Sequence, residues 1–151
     1  MASKVFIAAI NEMMTAYLVT TQDIRAMLCM SNCDAATVAL TAGDRLEDVA
    51  TDVSDATSYA DVALTTEACA VDDANDRAEF DDSGAASAVF SGLGGDATRD
   101  YTGVILYKYV DGTAANDIPV AWIEFTSPLP QESTEITVTW NDEGIIQGQN
   151  A

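Results

Sequence analysis

Tyr101-Thr102-Gly103-Val104-Ile105-Leu106-Tyr107-Lys108-Tyr109-Val110 is apolar on both alternating faces: Val104, Leu106 and Val110 on one, Ile105, Tyr107 and Tyr109 on the other. An extended run of this kind needs cover on both sides, which predicts a central strand. Asp111-Gly112 opens a turn, because glycine tolerates positive φ. A second strand is expected over Val120-Ala121-Trp122-Ile123-Glu124-Phe125, preceded by Pro119 and stopped by Pro128 and Pro130. The third run, Thr134 to Trp140, alternates cleanly, with Ile136, Val138 and Trp140 toward a core and Glu135, Thr137 and Thr139 toward water. Asn141-Asp142-Glu143-Gly144 closes it, and Ile145-Ile146 follow. Three strands sharing an apolar face make an independently stable nucleus, so the fold is read outward from here.

Upstream, Ser3 is a suitable N-cap for a helix through Tyr17, along which Phe6, Ala9, Ile10, Met13, Met14 and Tyr17 recur at helical spacing. Asp23 to Met30 reads as a buried strand, Ser31 to Gly43 as turn-like, and Arg45 to Ala50 as one helical turn with Leu46, Val49 and Ala50 inward. Short strands are expected at Val62–Leu64, Ala68–Val71, Arg77–Asp81 and Ala88–Phe90, with turns at Asp72–Asp76 and Asp81–Gly84 and a flexible connection at Gly92–Gly95. The expectation is an all-β, mainly antiparallel sandwich or barrel-like fold with an N-terminal α-helix. It is a single domain over residues 1–151: helix over 1–18, β domain over 23–146, and a fraying polar tail over 147–151.

The charge excludes whole classes of partner. Twenty-five acidic residues against 6 basic ones give a formal charge of −19, which repels duplex DNA and anionic bilayers alike. No nucleic-acid partner and no membrane partner are expected, and no apolar run approaches the length of a membrane span. Cys29, Cys33 and Cys69 are an odd count without a signal peptide, so they are read as buried free thiols rather than a disulfide framework.

Without a histidine, Ser-His-Asp and Cys-His nucleophile arrangements are excluded and zinc lacks its usual ligands. Gly92, Gly94 and Gly95 do not form a dinucleotide fingerprint, so neither an enzyme nor a cofactor is expected. The candidate cation site is Asp72, Asp73, Asn75 and Asp76, with Asp81 and Asp82 nearby. It offers the oxygen ligands that calcium prefers but lacks the glycine and distal glutamate of an EF-hand loop. Asx turns use the same residues to cap backbone, and the expectation is no bound metal. Arg77, beside Asp73, Asp76 and Glu79, is read as a paired charge. Trp122 and Trp140 fall in strand patterns and are read as core.

An ordered set of short motifs resembles capsid decoration, or cement, proteins of tailed bacteriophages, including those of cyanobacteria. These are the Lys4-Val5-Phe6 helix, Asp48-Val49 through Tyr59, Asp72 to Phe80, Val104 to Lys108, Pro119 to Phe125, and Thr137 to Ile145. The resemblance implies a structural virion protein that binds the major capsid protein on the outside of the head and stabilises it without chemistry. It also implies a homotrimer, or alternatively a dimer, on a local symmetry axis. Phe6, Ile10, Met13 and Tyr17 are the expected docking residues. The competing readings are a head–tail connector, tail or fibre component, and a host- or carbohydrate-binding β-module.

Overall fold

A computed structural model describes residues 6–37, 43–82, 87–93, 99–130, 134–141 and 143–149. The elements are α1 (Ile7–Met14), α2 (Leu46–Val49), β1 (Ile24–Met30), β2 (Val62–Ala63), β3 (Glu67–Asp72), β4 (Arg77–Asp82), β5 (Ser87–Ser91), β6 (Tyr101–Lys108), β7 (Ile118–Leu129), β8 (Glu135–Thr139) and β9 (Ile146–Gln149). Every described strand pairing with a register is antiparallel, and the protein is all-β with an N-terminal helix, as the sequence predicts. The Ser3 cap, Ser83-Gly84, Gly94-Gly95, Asp142 and part of the Ser31–Gly43 segment lie outside the described residues. The chain divides into two compact units, one of residues 1–22, 64–87 and 139–151, the other of residues 23–63 and 88–138.

The larger unit holds a sheet in the order β2-β1-β6-β7. β6 is central, as its two apolar faces require: Tyr101 and every residue from Gly103 to Tyr107 are buried. Removing Val104, Ile105 and Leu106 from water contributes about 1.5–3 kcal/mol each. β1 pairs with it from Ile24↔Lys108 to Cys29↔Gly103, and a register shift after Cys29 leads to Met30↔Tyr101. Leu46 and Val49 of α2 join Cys29, Cys33, Ile105 and Tyr107 in one core cluster, with Trp122 packed against it. Ile136 and Val138 of β8 are buried in the alternation expected of them, and Ala88 and Phe90 of β5 are buried in the same alternating way.

β7 departs from expectation. It runs through Pro119 and Pro128, where the sequence pattern predicts its limits. A proline deletes a ladder N–H, but β7 is the last strand in the described order of its sheet, and Pro119 stands opposite Tyr107 where the β6–β7 register shifts. An edge and an irregular register are the two places where a strand tolerates proline.

In the smaller unit β4 is central to the order β3-β4-β9. Ala78, Phe80 and Asp82 point inward in alternation. The polar ending read as a fraying tail instead forms β9, with registers from Phe80↔Ile146 to Arg77↔Gln149. A central strand needs a partner on each edge for its backbone groups, and that requirement outweighs the polarity of Gln147 and Gln149. α1 packs beside this sheet and continues as a π-helical turn over Thr15–Val19, where Leu18 is buried. The helix comes so close to β9 that a Cβ on Gly148 would lie 2.6 Å from Ile10 Cγ2 and 3.1 Å from Met14 Sδ.

Gly103 is the corresponding tight point of the larger unit, where a Cβ would overlap the Trp122 ring and the Ile123 carbonyl. Gly103→Ala is therefore expected to cost about 1–3 kcal/mol by overpacking. The measurement is a lower urea midpoint with an unchanged slope; an unmoved midpoint would refute the packing argument.

Candidate functional site

The acidic turn is built on the β3–β4 hairpin, which closes at the pair Asp72↔Arg77. The Ala74 N–H (3.0 Å) and Asn75 N–H (3.3 Å) donate to Asp72 Oδ1, and Asn75 Nδ2 donates to Oδ2 at 2.6 Å. These bonds, the Asn75 side chain first, hold the Asp72 carboxyl below its ordinary pKa. Asp76 takes the left-handed conformation at φ 51°, which aspartate tolerates better than most residues. The run is thus an Asx-capped hairpin turn.

Arg77 does not pair with Asp73 or Asp76. Its guanidinium meets Asp72 at 3.1 Å, Glu79 at 2.6 Å and Glu143. Those three carboxylates place one oxygen each within 4.8 Å of one another. Of the sequence-derived set of Asp72, Asp73, Asn75 and Asp76, only Asp72 belongs to this convergence, and the other three side chains are exposed. Glu143, 66 residues from Arg77, was not legible as a partner; only the pairing of β4 with β9 brings the turn before β9 beside it. A guanidinium already supplies the positive charge that three converging carboxylates call for.

α1 presents two chemically distinct faces. Ile7, Ile10, Asn11 and Met14 are half-buried, whereas Phe6, Ala8, Ala9, Glu12, Met13, Ala16 and Tyr17 are exposed. Phe6 is 84% exposed, Met13 58% and Tyr17 45%. Of the four expected docking residues, Ile10 thus lies on the packed face beside Gly148, and the other three lie outward. No helix among the described residues is long and apolar enough to cross a membrane.

A third arrangement joins residues far apart in the sequence. Asp61 accepts from Tyr59 OH on Oδ1 at 2.8 Å and from Tyr107 OH on Oδ2 at 2.7 Å. Tyr59 OH in turn accepts the Leu28 N–H at 2.8 Å, and its ring stacks on Phe90 at 6.3 Å. Burial foremost, with the Asp61 carboxylate beside them, raises both phenol pKa values well above the ordinary 10. Asp61 thereby ties the segment before β2 to β6 as a structural clamp.

Compared with known proteins, the chain matches no family model, no curated protein and no solved structure.

Two outcomes follow from this chemistry. Both phenols are held neutral in the folded state, so their contribution to stability is complete below pH 10, the ordinary tyrosine pKa, and declines above it as the unfolded chain ionises. In an alkaline titration followed near 295 nm, Tyr59 and Tyr107 are expected to ionise only with unfolding, and Tyr107→Phe, with one phenol fewer to ionise on unfolding, to lose stability less steeply above pH 10; reversible ionisation of all five tyrosines in the folded state would refute the clamp. Arg77→Met leaves Asp72, Glu79 and Glu143 facing one another without a cation. Its melting temperature should fall and be partly restored by millimolar calcium, which should leave the unsubstituted protein unmoved.

Proposed function

We propose that this protein is a structural virion component, a decoration protein that binds the outside of a tailed-phage head and reinforces it without chemistry. The observation that carries the reading is the outward face of α1. Phe6 and Met13 project into solvent on a helix whose other side packs on its own unit. Between Phe6 and Gln22 the only charged residue is Glu12, in a chain of formal charge −19. A mostly apolar strip with a single carboxylate on an otherwise strongly acidic protein suits docking to a protein surface, where a few desolvated apolar anchors supply most of the binding energy. The acidic remainder suits an outer position, because a protein lining the head would face DNA phosphates. The ordered motifs from Lys4 to Ile145 supply the phage context, and with it the major capsid protein as partner and a homotrimer, or else a dimer, as the bound form. Many modest contacts repeated over a shell then act together, since each attached copy holds its neighbours in place.

The test compares particles with and without the protein. Those lacking it are expected to assemble but to release DNA at lower temperature or ionic strength, and rebinding of purified protein should restore the difference. Phe6→Ser combined with Met13→Ser should weaken rebinding at least tenfold while leaving circular dichroism unchanged. Equal heat stability of both particles, labelling confined to the tail, or retention on immobilised glycans in place of capsids would overturn the reading. Native mass spectrometry giving a strict monomer both on and off the particle would overturn the oligomeric part alone.

A further inference from the structure

Cys29 ends the regular part of β1, one residue before the register shift that leads to Met30. The chain then turns back at once: the Cys33 N–H donates to the Met30 carbonyl at 3.0 Å. This turn returns Cys33 to the core cluster that contains Cys29, together with Leu46, Val49, Ile105 and Tyr107. Neither thiol is in a disulfide. Cys29 is fully buried, whereas Cys33 keeps 8% of its surface accessible. Cys69 belongs to the other unit.

We infer that Cys29 and Cys33 form a redox pair that closes to an intrachain disulfide on exposure to a small peroxide. Cys33 is the attacking sulfur, since it alone of the two retains access to solvent. The neighbouring Cys29 thiol, with the Ala35 N–H beside it, draws the Cys33 pKa below the ordinary thiol value, against the opposing effect of burial. The same neighbour relation, together with desolvation, raises that of Cys29. When protonated, Cys33 donates its S–H to the Val49 carbonyl, 3.0 Å away. In the first step the Cys33 thiolate attacks one peroxide oxygen; the O–O bond breaks, a Cys33 sulfenic acid forms, and the departing hydroxide takes the proton released from Cys33 to become water. In the second step the Cys29 sulfur attacks the Cys33 sulfur; the S–O bond breaks, the S–S bond forms, and the departing hydroxide takes the Cys29 proton as a second water. Two thiols and one hydrogen peroxide give one disulfide and two waters.

The burial that makes an isolated cysteine inert favours this outcome once the first step has occurred. A sulfenic acid held against a second thiol is resolved before further peroxide can reach it. The expected product is therefore the disulfide and not the sulfinic acid.

The test treats the whole chain with a small excess of hydrogen peroxide, then denatures it and titrates thiols. The count is expected to fall from three to one, the intact mass to drop by two hydrogens, and peptide mapping to join Cys29 to Cys33 with Cys69 free. Dithiothreitol should restore all three thiols. Cys69→Ser should still lose two thiols, and Cys29→Ser should lose the cross-link and accumulate oxygen adducts at Cys33. Three unreacted thiols, a sulfinic acid at Cys33 in the unsubstituted protein, or a cross-link through Cys69 would each overturn the inference, and the unsubstituted chain alone suffices to decide it.

Discussion

The hydrogen-bonded ladder between β1 and β6 runs through protein cover on both faces. Ile24, Ala26 and Leu28 on one strand and Val104, Ile105 and Leu106 on the other are almost wholly out of water. Backbone N–H and C=O groups at that depth have no solvent to bond with, so each must find its partner across the ladder. A one-residue slip would reverse which side chains face which side, and on strands buried on both faces that means repacking two layers at once. The register from Ile24↔Lys108 onward is consequently the constraint to which the larger unit is fitted. Trp122 lies over Gly103, α2 supplies Leu46 and Val49, and Asp61 fastens Tyr59 and Tyr107.

Electrostatics follow a different logic. With 25 acidic residues, every arginine position matters, and three of the arginines sit against carboxylates: Arg25 with Asp23, Arg77 with Asp72, Glu79 and Glu143, and Arg99 with Asp52 and Asp55. Exposed pairs of this kind contribute little singly. Their value lies in location: Arg77 gathers carboxylates from β3, β4 and the turn before β9, which would otherwise repel one another across a three-stranded sheet. Arg25 also lies 3.5 Å from the centre of the Tyr109 ring, so one side chain serves both an ion pair and an aromatic face.

Against that acidic background the helix is chemically separate. Its inward face is held by close contact of Ile10 and Met14 with Gly148, a position where any larger residue would lift the helix from β9. Its outward face offers apolar surface with one carboxylate, Glu12. The same element thus carries both the packing of its unit and the surface on which the proposed attachment rests.

Periodicity alone determined the all-β class, the central place of β6, the inward set Ile136, Val138 and Trp140, and the helical turn bearing Leu46 and Val49, because burial on one or two faces writes itself into local alternation. It also located the Asp72–Asp76 turn, whose Asx chemistry is local. What depended on long-range neighbours was not legible. β7 continues through two prolines because it stands last in its sheet order, a position no local run encodes. The polar ending becomes β9 because β4 lacked a second partner. Glu143 reaches Arg77, and Asp61 reaches Tyr107, across 66 and 46 residues. Cys29 and Cys33 could be counted in the sequence, but only a turn folded back onto β1 makes them neighbours in one core, since spacing along a chain does not state the direction in which the chain returns.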